Sequence, residues 1–530
     1  MKKILTALPG TLSFFLGLLL GLYFIAMNIT GKSFTELPGD LGDSRFTNYL
    51  LEHSHQYFKG QVTNFWDAGF MVPESNIVTY SENMVGSAPF YSMFRIAGYD
   101  RETSFQAWFL VIIILNYTFC YFFLKKLFKN PYAAVLGAMV FAFSMALQSQ
   151  MGHPQTFPRF SIPLAFWMGI LFLEKMKPLY FFLALFFVVY TLYCCIYTGL
   201  MLAVPVGLLI ITGLVYQWKL LPEKCKNYRW SGAMVLSIIL NILIVLPLML
   251  PYRQRGNEAG FNNYEGIFSN ILTIKSYFFS QSGSLFWDFL RETGIEIPGW
   301  WDHQIFAGGV ATICMFLFML FVILKLINKK ILSKLPLERT SLVFFITALL
   351  CFFLFLRIGD FSLYKQVMKL PGFASMRAIQ RIINIELIFF AIATAFVFSI
   401  VLKRKNWLAA LLFVIFAGLI TADNYYKWGA PYNTTKELAQ SRVNKLQEKM
   451  KDIPAGAHVS YEPADSTDRN IYCQVDAMLA AQALHLKTVN GYTGTSPGGY
   501  GRFWEELSKE GREEWFKAKN FRPDTVYIIN

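Results

Sequence analysis

The sequence predicts a polytopic α-helical membrane protein of about eleven transmembrane helices with a small C-terminal extracytoplasmic α/β domain. Three observations predict it. Apolar stretches of near-spanning length recur along most of the chain, lysines and arginines gather in alternate connections between them, and from residue 422 onward the pattern turns mixed and polar. Of the 530 residues, 55% are hydrophobic and only 15% are charged. Soluble domains carry roughly 45–50% apolar and about 25% charged residues, so lipid is the solvent for much of this chain.

The spans are predicted near 8–27, 106–124, 132–149, 161–173, 179–196, 198–217, 231–250, 305–324, 341–356, 383–402 and 406–421. A bilayer needs about 17–25 apolar residues per helix, so 161–173 and 341–356 are short. Only Tyr197 and its neighbours mark a turn inside 179–217. At the start, Met1-Lys2-Lys3 precedes an apolar run to Met27 with no small-residue cleavage site after it, which reads as a first membrane helix rather than a removed leader.

Charge sets the orientation. With the N-terminus in the cytoplasm, the inner connections carry Lys125, Lys126 and Lys129; Lys175 and Lys177; Lys219, Lys224, Lys226 and Arg229; Lys325, Lys329, Lys330, Lys334 and Arg339; and Lys403, Arg404 and Lys405. That is the positive-inside bias expected of a multi-pass membrane protein. It accounts for the net charge of +14 without nucleic acid, since no soluble segment interleaves basic and aromatic residues in a stripe. The outer segments are then 28–105, 150–160, 251–304, 357–382 and 422–530, and all six histidines fall in them. The expected organisation is a membrane module over 1–421, with a large first outer loop at 28–105, and an extracytoplasmic tail domain over 422–530.

The tail reads as alternating helices and strands. A helix is expected over 434–451 with Leu438, Val443, Leu446 and Met450 on one face, a strand over 458–461 and a helix over 475–486. A glycine-rich loop from Asn490 to Gly501, a charged helix over 502–519 and a final strand over 525–529 complete it. The seven cysteines include no CxxC pair, so neither a structural zinc site nor a disulfide framework is indicated. Walker and HExxH patterns are absent from the sequence.

Chemistry concentrates in the outer segments. Asp40 and Asp43 stand among glycines in Leu37-Pro38-Gly39-Asp40-Leu41-Gly42-Asp43-Ser44-Arg45, just before a helix predicted to Phe58 with Asp43 as its N-cap. A carboxylate held there can accept a proton from a hydroxyl or hold a cation. It can equally be an ordinary helix cap. The clusters Asn64-Phe65-Trp66-Asp67 and Tyr80-Ser81-Glu82-Asn83 mix acids with rings in a way that suits a sugar or an interfacial aromatic belt. His153, in the short loop Met151-Gly152-His153-Pro154-Gln155, is confined to the outer face and can orient a phosphate or carboxylate. Arg377 and Arg381, four apart, would share a helical face, and Arg253 and Arg255 form a second pair. Guanidinium groups grip phosphate bidentately, and outer-face arginines run against the inward bias of this chain. Headgroup snorkelling is the plainer reading of both pairs.

Together these features resemble the GT-C class of membrane glycosyltransferases, related in layout to protein O-mannosyltransferases and oligosaccharyltransferase catalytic subunits. The resemblance rests on the acid-bearing first outer loop, on Gly39 to Arg45, on Gly152-His153-Pro154-Gln155, and on Pro371-Gly372-Phe373 with Arg377 and Arg381. It covers most of 1–421. Gly299-Trp300-Trp301-Asp302-His303 departs from the WWDYG-type acceptor motif of oligosaccharyltransferases. The resemblance implies transfer of a sugar, with inversion, from a polyprenyl-phosphate-linked donor to an extracytoplasmic glycan, lipid or protein. Asp43 or Asp40 would be the catalytic carboxylate, with Asp43 preferred because it would cap the helix, and Arg45, Glu82, His153, Arg253, Arg377 and Arg381 would bind substrate or lipid phosphate. No cofactor is certain; a divalent metal, if used, would be held by Asp43, Glu82 and His153. Two other classes fit a polytopic chain: a transporter or lipid flippase, which would show repeats and mid-membrane charges, and a non-catalytic anchor presenting the tail, for which the first loop would be dispensable.

Overall fold

Long runs of leucine, isoleucine, phenylalanine and valine, with backbone groups that lipid cannot satisfy, leave helices as the stable form for the first four-fifths of the chain. The computed structural model describes residues 2–293, 296–327, 336–403, 407–427, 434–463 and 467–530. Lys329, Lys330, Lys334, Arg404 and Lys405, and the first residue of the 406–421 segment, lie outside the described residues. Helices occupy all eleven segments predicted as spans. Seven of them are long and apolar enough to cross a membrane: Gly10–Thr30, Arg101–Phe128, Pro154–Lys175, Ile196–Tyr216, Tyr228–Glu258, Gly309–Ile327 and Ile379–Val401. Four shorter apolar helices, Pro131–Leu147, Pro178–Cys194, Ser341–Phe355 and Trp407–Asp423, fall at the other four positions. The chain is a multi-pass membrane protein.

Ile379–Val401 is the hub, with 89% of its apolar window inside the protein, and it packs against Pro131–Phe143 and Gly309–Ile327. Tyr228–Glu258 is the opposite case, only 17% buried. Its row of exposed valines, leucines and isoleucines is what a lipid-facing helix presents.

The weakly marked turn inside 179–217 is real and is held from a distance. The helix Pro178–Cys194 ends and Ile196–Tyr216 begins at Cys195, whose backbone is extended. The orphan carbonyls of Leu192 and Tyr193 accept from Asn83 Nδ2 (3.0 Å) and the Gly86 amide (2.7 Å). The orphan amides of Ile196 and Tyr197 donate to Glu82, at 2.5 and 3.3 Å. Four free backbone groups of two helix ends are thus closed by one short stretch of the 28–105 loop. A Cβ on Gly86 would lie 2.7 Å from Cys194 Sγ and 3.0 Å from the Cys194 amide nitrogen, so only glycine fits that approach.

The tail holds a three-stranded parallel sheet in the order Lys487–Thr488, His458–Tyr461, Val526–Ile529. Its helices are Lys436–Met450, Asn470–Ala483, Gly501–Glu506 and Lys509–Ala518. The charged helix expected over 502–519 is therefore two helices, broken at Leu507 in the left-handed region and restarted by a Ser508 cap. On Lys436–Met450, Val443, Leu446 and Met450 face inward as expected, but Leu438 is exposed and Ala439 takes the inward position. The tail is built onto the 28–105 loop. Thr434–Thr435 pairs antiparallel with Glu36–Leu37. Backbone bonds join Gly69, Met71 and Val72 to Thr488 and Asn490, and the Trp515 indole donates to the Val72 carbonyl at 2.8 Å.

Candidate active site

The site forms where the first turn of the helix Asp43–Phe58 meets three other segments. The helix starts differently from the expectation. Asp43 is not its N-cap: Gly42 holds that position and makes no side-chain cap. The capping oxygen comes from Asp40, whose Oδ1 accepts from the amides of Gly42 (3.1 Å) and Ser44 (3.2 Å). Burial raises the Asp40 carboxyl, and these two amides pull it back. With the orphan amides served by Asp40, the Asp43 carboxylate is released to face outward from the helix end.

Asp43 then meets two partners from distant parts of the chain. Its Oδ2 lies 3.4 Å from Nδ1 of His153. Its Oδ1 accepts a short hydrogen bond from the Tyr492 hydroxyl, in the glycine-rich loop of the tail. Burial pushes the Asp43 carboxyl up to about 6; the Tyr492 hydrogen bond holds it down, Asp40 repels it upward, and Arg381 and Arg377 draw it down. His153 is held well below the ordinary imidazole range by burial and by the same two arginines, so it is neutral at pH 7. The side chains of Asp43 and His153 remain partly open, 30% and 24% exposed. Thr47, one turn on, bonds its hydroxyl to Gln155 Oε1 at 3.2 Å and ties the helix to the His153 loop.

Arg377 and Arg381 do not share a helix. Arg377 is in an irregular segment and exposed, while Arg381 is in the short 3-10 turn Ile379–Ile382 that leads into the hub helix. Tyr197 organises both: its hydroxyl accepts from the Arg377 amide at 3.2 Å, and the Arg381 guanidinium lies 5.0 Å over its ring. Both cations act on Asp43, His153 and Asp302. Neither side chain has a carboxylate within ion-pair distance among the described residues, and Arg381 Nε is buried without a hydrogen-bond partner.

Most of the other candidates make contacts within the fold. Arg45 is buried, ion-paired with Asp476 of the tail and bonded to the Ala439 carbonyl at 3.2 Å, so it offers nothing to a ligand. Glu82 closes the start of Ile196–Tyr216, as described above. Arg253 is exposed near the end of Tyr228–Ala259, and its neighbour Arg255 lies 3.6 Å over the Tyr80 ring. Asp67 is occupied by Asn64 and the Asn76 amide within its own loop.

In overall structure the chain is similar to the oligosaccharyltransferase of Archaeoglobus fulgidus in its apo form, with a TM-score of 0.51 at 10% identity over 97% of this chain and 69% of that one. It is similar also to the archaeal oligosaccharyltransferase AglB of the same organism in complex with an inhibitory peptide and a dolichol-phosphate, with a TM-score of 0.51 at 12% identity over 97% and 68%. The chain has the GT-C fold. No family model matches the sequence, and no curated protein matches it.

On this GT-C framework Tyr492, which motif reading passed over, joins the site, and Asp302, read above only within a departure from a motif, lies in the field of the same arginines. Tyr492 was legible only as part of a glycine-rich loop. The loop reaches Asp43 because Gly491 is pressed against the 28–105 segment: a Cβ there would lie 2.2 Å from Met71 Cγ. Phe46 and Trp504 flank the Tyr492 ring, with centroids at 5.5 and 5.8 Å, and fix its direction. Asp302, in the short 3-10 turn Trp300–Asp302, is raised by burial and drawn down by Arg381 and Arg377, which places it in the same field. Asp43, Glu82 and His153 do not make a metal site. Among the described residues no three or more His, Cys, Asp or Glu side chains are grouped to hold an ion. Asp43 and His153 alone make two ligands, and Glu82 is committed to backbone amides.

Proposed function

We propose that this protein is a membrane glycosyltransferase that takes a sugar from a polyprenyl-phosphate-linked donor and passes it, with inversion, to a hydroxyl of an extracytoplasmic glycan, lipid or protein. In this reading all eleven apolar helices span a bacterial cytoplasmic membrane. The N-terminus is inside, and the loop 28–105 and the tail domain 422–530 share the outer face. The observation that carries the reading is the geometry at one end of the Asp43–Phe58 helix: a partly open carboxylate held by Tyr492 and next to His153, in the field of two arginines that lack carboxylate partners among the described residues.

Asp43 is the general base. It takes the proton as the acceptor oxygen bonds to the anomeric carbon. The bond from that carbon to the phosphate oxygen breaks, and the leaving lipid phosphate keeps the electron pair. Arg377 and Arg381 face the charge that grows on that phosphate, where preorganised cations lower the barrier. A base is most effective when its pKa lies near the working pH, and about 6 leaves Asp43 mostly ionised at pH 7. Tyr492 is a positioning residue that donates to one of its oxygens, and the neutral His153 stands beside the other. No step passes through a metal.

The test is a transfer assay in membranes with radiolabelled polyprenyl-phosphate hexoses and native cell-envelope extract as acceptor. Asp43→Asn should lower transfer by about 10²–10⁴-fold at unchanged protein level. Wild-type rates in that variant would reject Asp43 as the base.

A further inference from the structure

A second cleft lies at the other end of the same helix. It has a volume of about 490 Å³ and sits between the last turns of Asp43–Phe58, the start of Arg101–Phe128, the tail helix Lys436–Met450 and the turn after Ala483. Its residues on the first helix, Glu52 to Lys59, are roughly 14–24 Å from Asp43 at about 1.5 Å per residue, so it is separate from the site above.

The chemistry of its wall is unusual. Six carboxamides face it: Gln56, Gln61, Gln440, Asn444, Gln447 and Gln482. Three carboxylates, Glu52, Asp100 and Glu102, stand beside three cations, Lys59, Arg95 and Arg101. The carboxylates are already paired: Glu52 with Arg95 at 2.8 Å, Glu102 with Arg101 at 2.8 Å, and Asp100 with Lys436 at 3.2 Å. Two imidazoles, His55 and His485, complete the polar lining, and Ala483 is the only apolar residue in it. Gln482 Oε1 and His55 Nδ1 have no hydrogen-bond partner.

Such a wall selects by hydrogen bonding alone. A carboxamide presents a donor and an acceptor together, which is what a row of hydroxyl groups requires. Every carboxylate in the wall is already paired, so a cation finds no free negative charge there, and the one lining cation without a carboxylate among the described residues, Lys59, is exposed to water. A peptide would need apolar pockets for its side chains, and a lipid tail would need an apolar wall; neither exists here. We propose that this cleft binds an uncharged oligosaccharide segment, held between the 28–105 loop and the tail at a distance from Asp43. The tail would then contribute to glycan recognition as well as to the Tyr492 contact. This binding stands or falls separately from the role of Asp43.

The experiment is saturation-transfer NMR on the full chain in nanodiscs free of sugar-headed detergent, with maltotriose, cellotriose, mannotriose and chitotriose as probes and trialanine as the peptide control. Asn444 is exposed and Gln447 half-exposed on an amphipathic helix, so Asn444→Leu with Gln447→Leu leaves the core intact. Expected is a signal from at least one trisaccharide that weakens about tenfold in the double variant, the equivalent of two lost hydrogen bonds, and persists in Asp43→Asn. No trisaccharide signal, a signal indifferent to the double variant, or binding of trialanine instead would each overturn the proposal. A signal lost in Asp43→Asn but kept in the double variant would move the bound sugar to the other end of the helix and overturn it as well.

Discussion

Asp43 and Arg45 stand two positions apart on one helix and meet opposite surroundings. Two residues make about 200° of turn, so their side chains leave on opposite faces. Arg45 points into the tail and finds a closed set of partners, Asp476 and the Ala439 carbonyl, in a nearly water-free interface. Asp43 points toward His153 and Tyr492, stays 30% exposed, and lies in the field of two arginines that have no carboxylate of their own among the described residues. The contrast separates structure from chemistry better than residue type does. A charge whose partners are complete holds the fold together, and one whose partners are incomplete is available to a ligand.

Exchanging the damage between these two residues is the strongest way to break that contrast. Asp43→Asn should remove about 10²–10⁴-fold of transfer activity, the usual contribution of a general base, and leave the melting temperature unchanged. Arg381→Met comes next: losing one preorganised cation beside the leaving group should lower kcat by about 10²-fold, with little change in KM for the acceptor. Arg45→Ala should do the reverse of Asp43→Asn. Breaking a buried ion pair costs about 3–5 kcal/mol, and since Asp476 keeps Arg442 at 2.7 Å, the lower end of that range is expected. Thermal unfolding and limited proteolysis of the tail measure it; the activity per folded molecule should stay within a few-fold of wild type. If Arg45→Ala instead silenced a fully folded enzyme, the distinction would fail.

How much of this was legible in the sequence follows from the range of each interaction. Hydropathy is local, and it located a helix in each of the eleven apolar segments. The tail's strands at 458–461 and 525–529 were legible because their apolar runs are bounded by turn residues. Lys487–Thr488 was missed because two residues carry no period. The turn at Cys195 has almost no local mark, since its caps come from Glu82, Asn83 and Gly86, more than a hundred positions earlier. For the same reason nothing local signals that Glu82, expected to bind a ligand, accepts from the amides of Ile196 and Tyr197. Asp43 was favoured for a capping role that Asp40 performs. Sequence spacing alone cannot separate two acids three apart, because either can reach the same amides. Arg377 and Arg381 were legible by their position against the charge bias, but not Tyr492, whose contact with Asp43 spans 449 positions and depends on Gly491 letting two loops touch.

Two smaller effects sharpen the comparison within the first turn itself. Asp40→Ala should cost about 1 kcal/mol, the usual worth of a helix cap, and move the acid limb of the pH profile to lower pH, because Asp40 no longer repels Asp43 upward. Tyr492→Phe should do neither. Wild-type activity should rise about tenfold per pH unit up to a midpoint near 6 and then level off, because the base works only when ionised. The Tyr492 hydroxyl stabilises the ionised form by donating to it, so its removal raises the Asp43 pKa and carries the midpoint upward. Activity should therefore fall several-fold at pH 5.5 and stay near wild type at pH 8. A uniform loss at all pH values would mean that Tyr492 only supports the loop, and a downward shift would mean that its proton is not on the bond to Asp43.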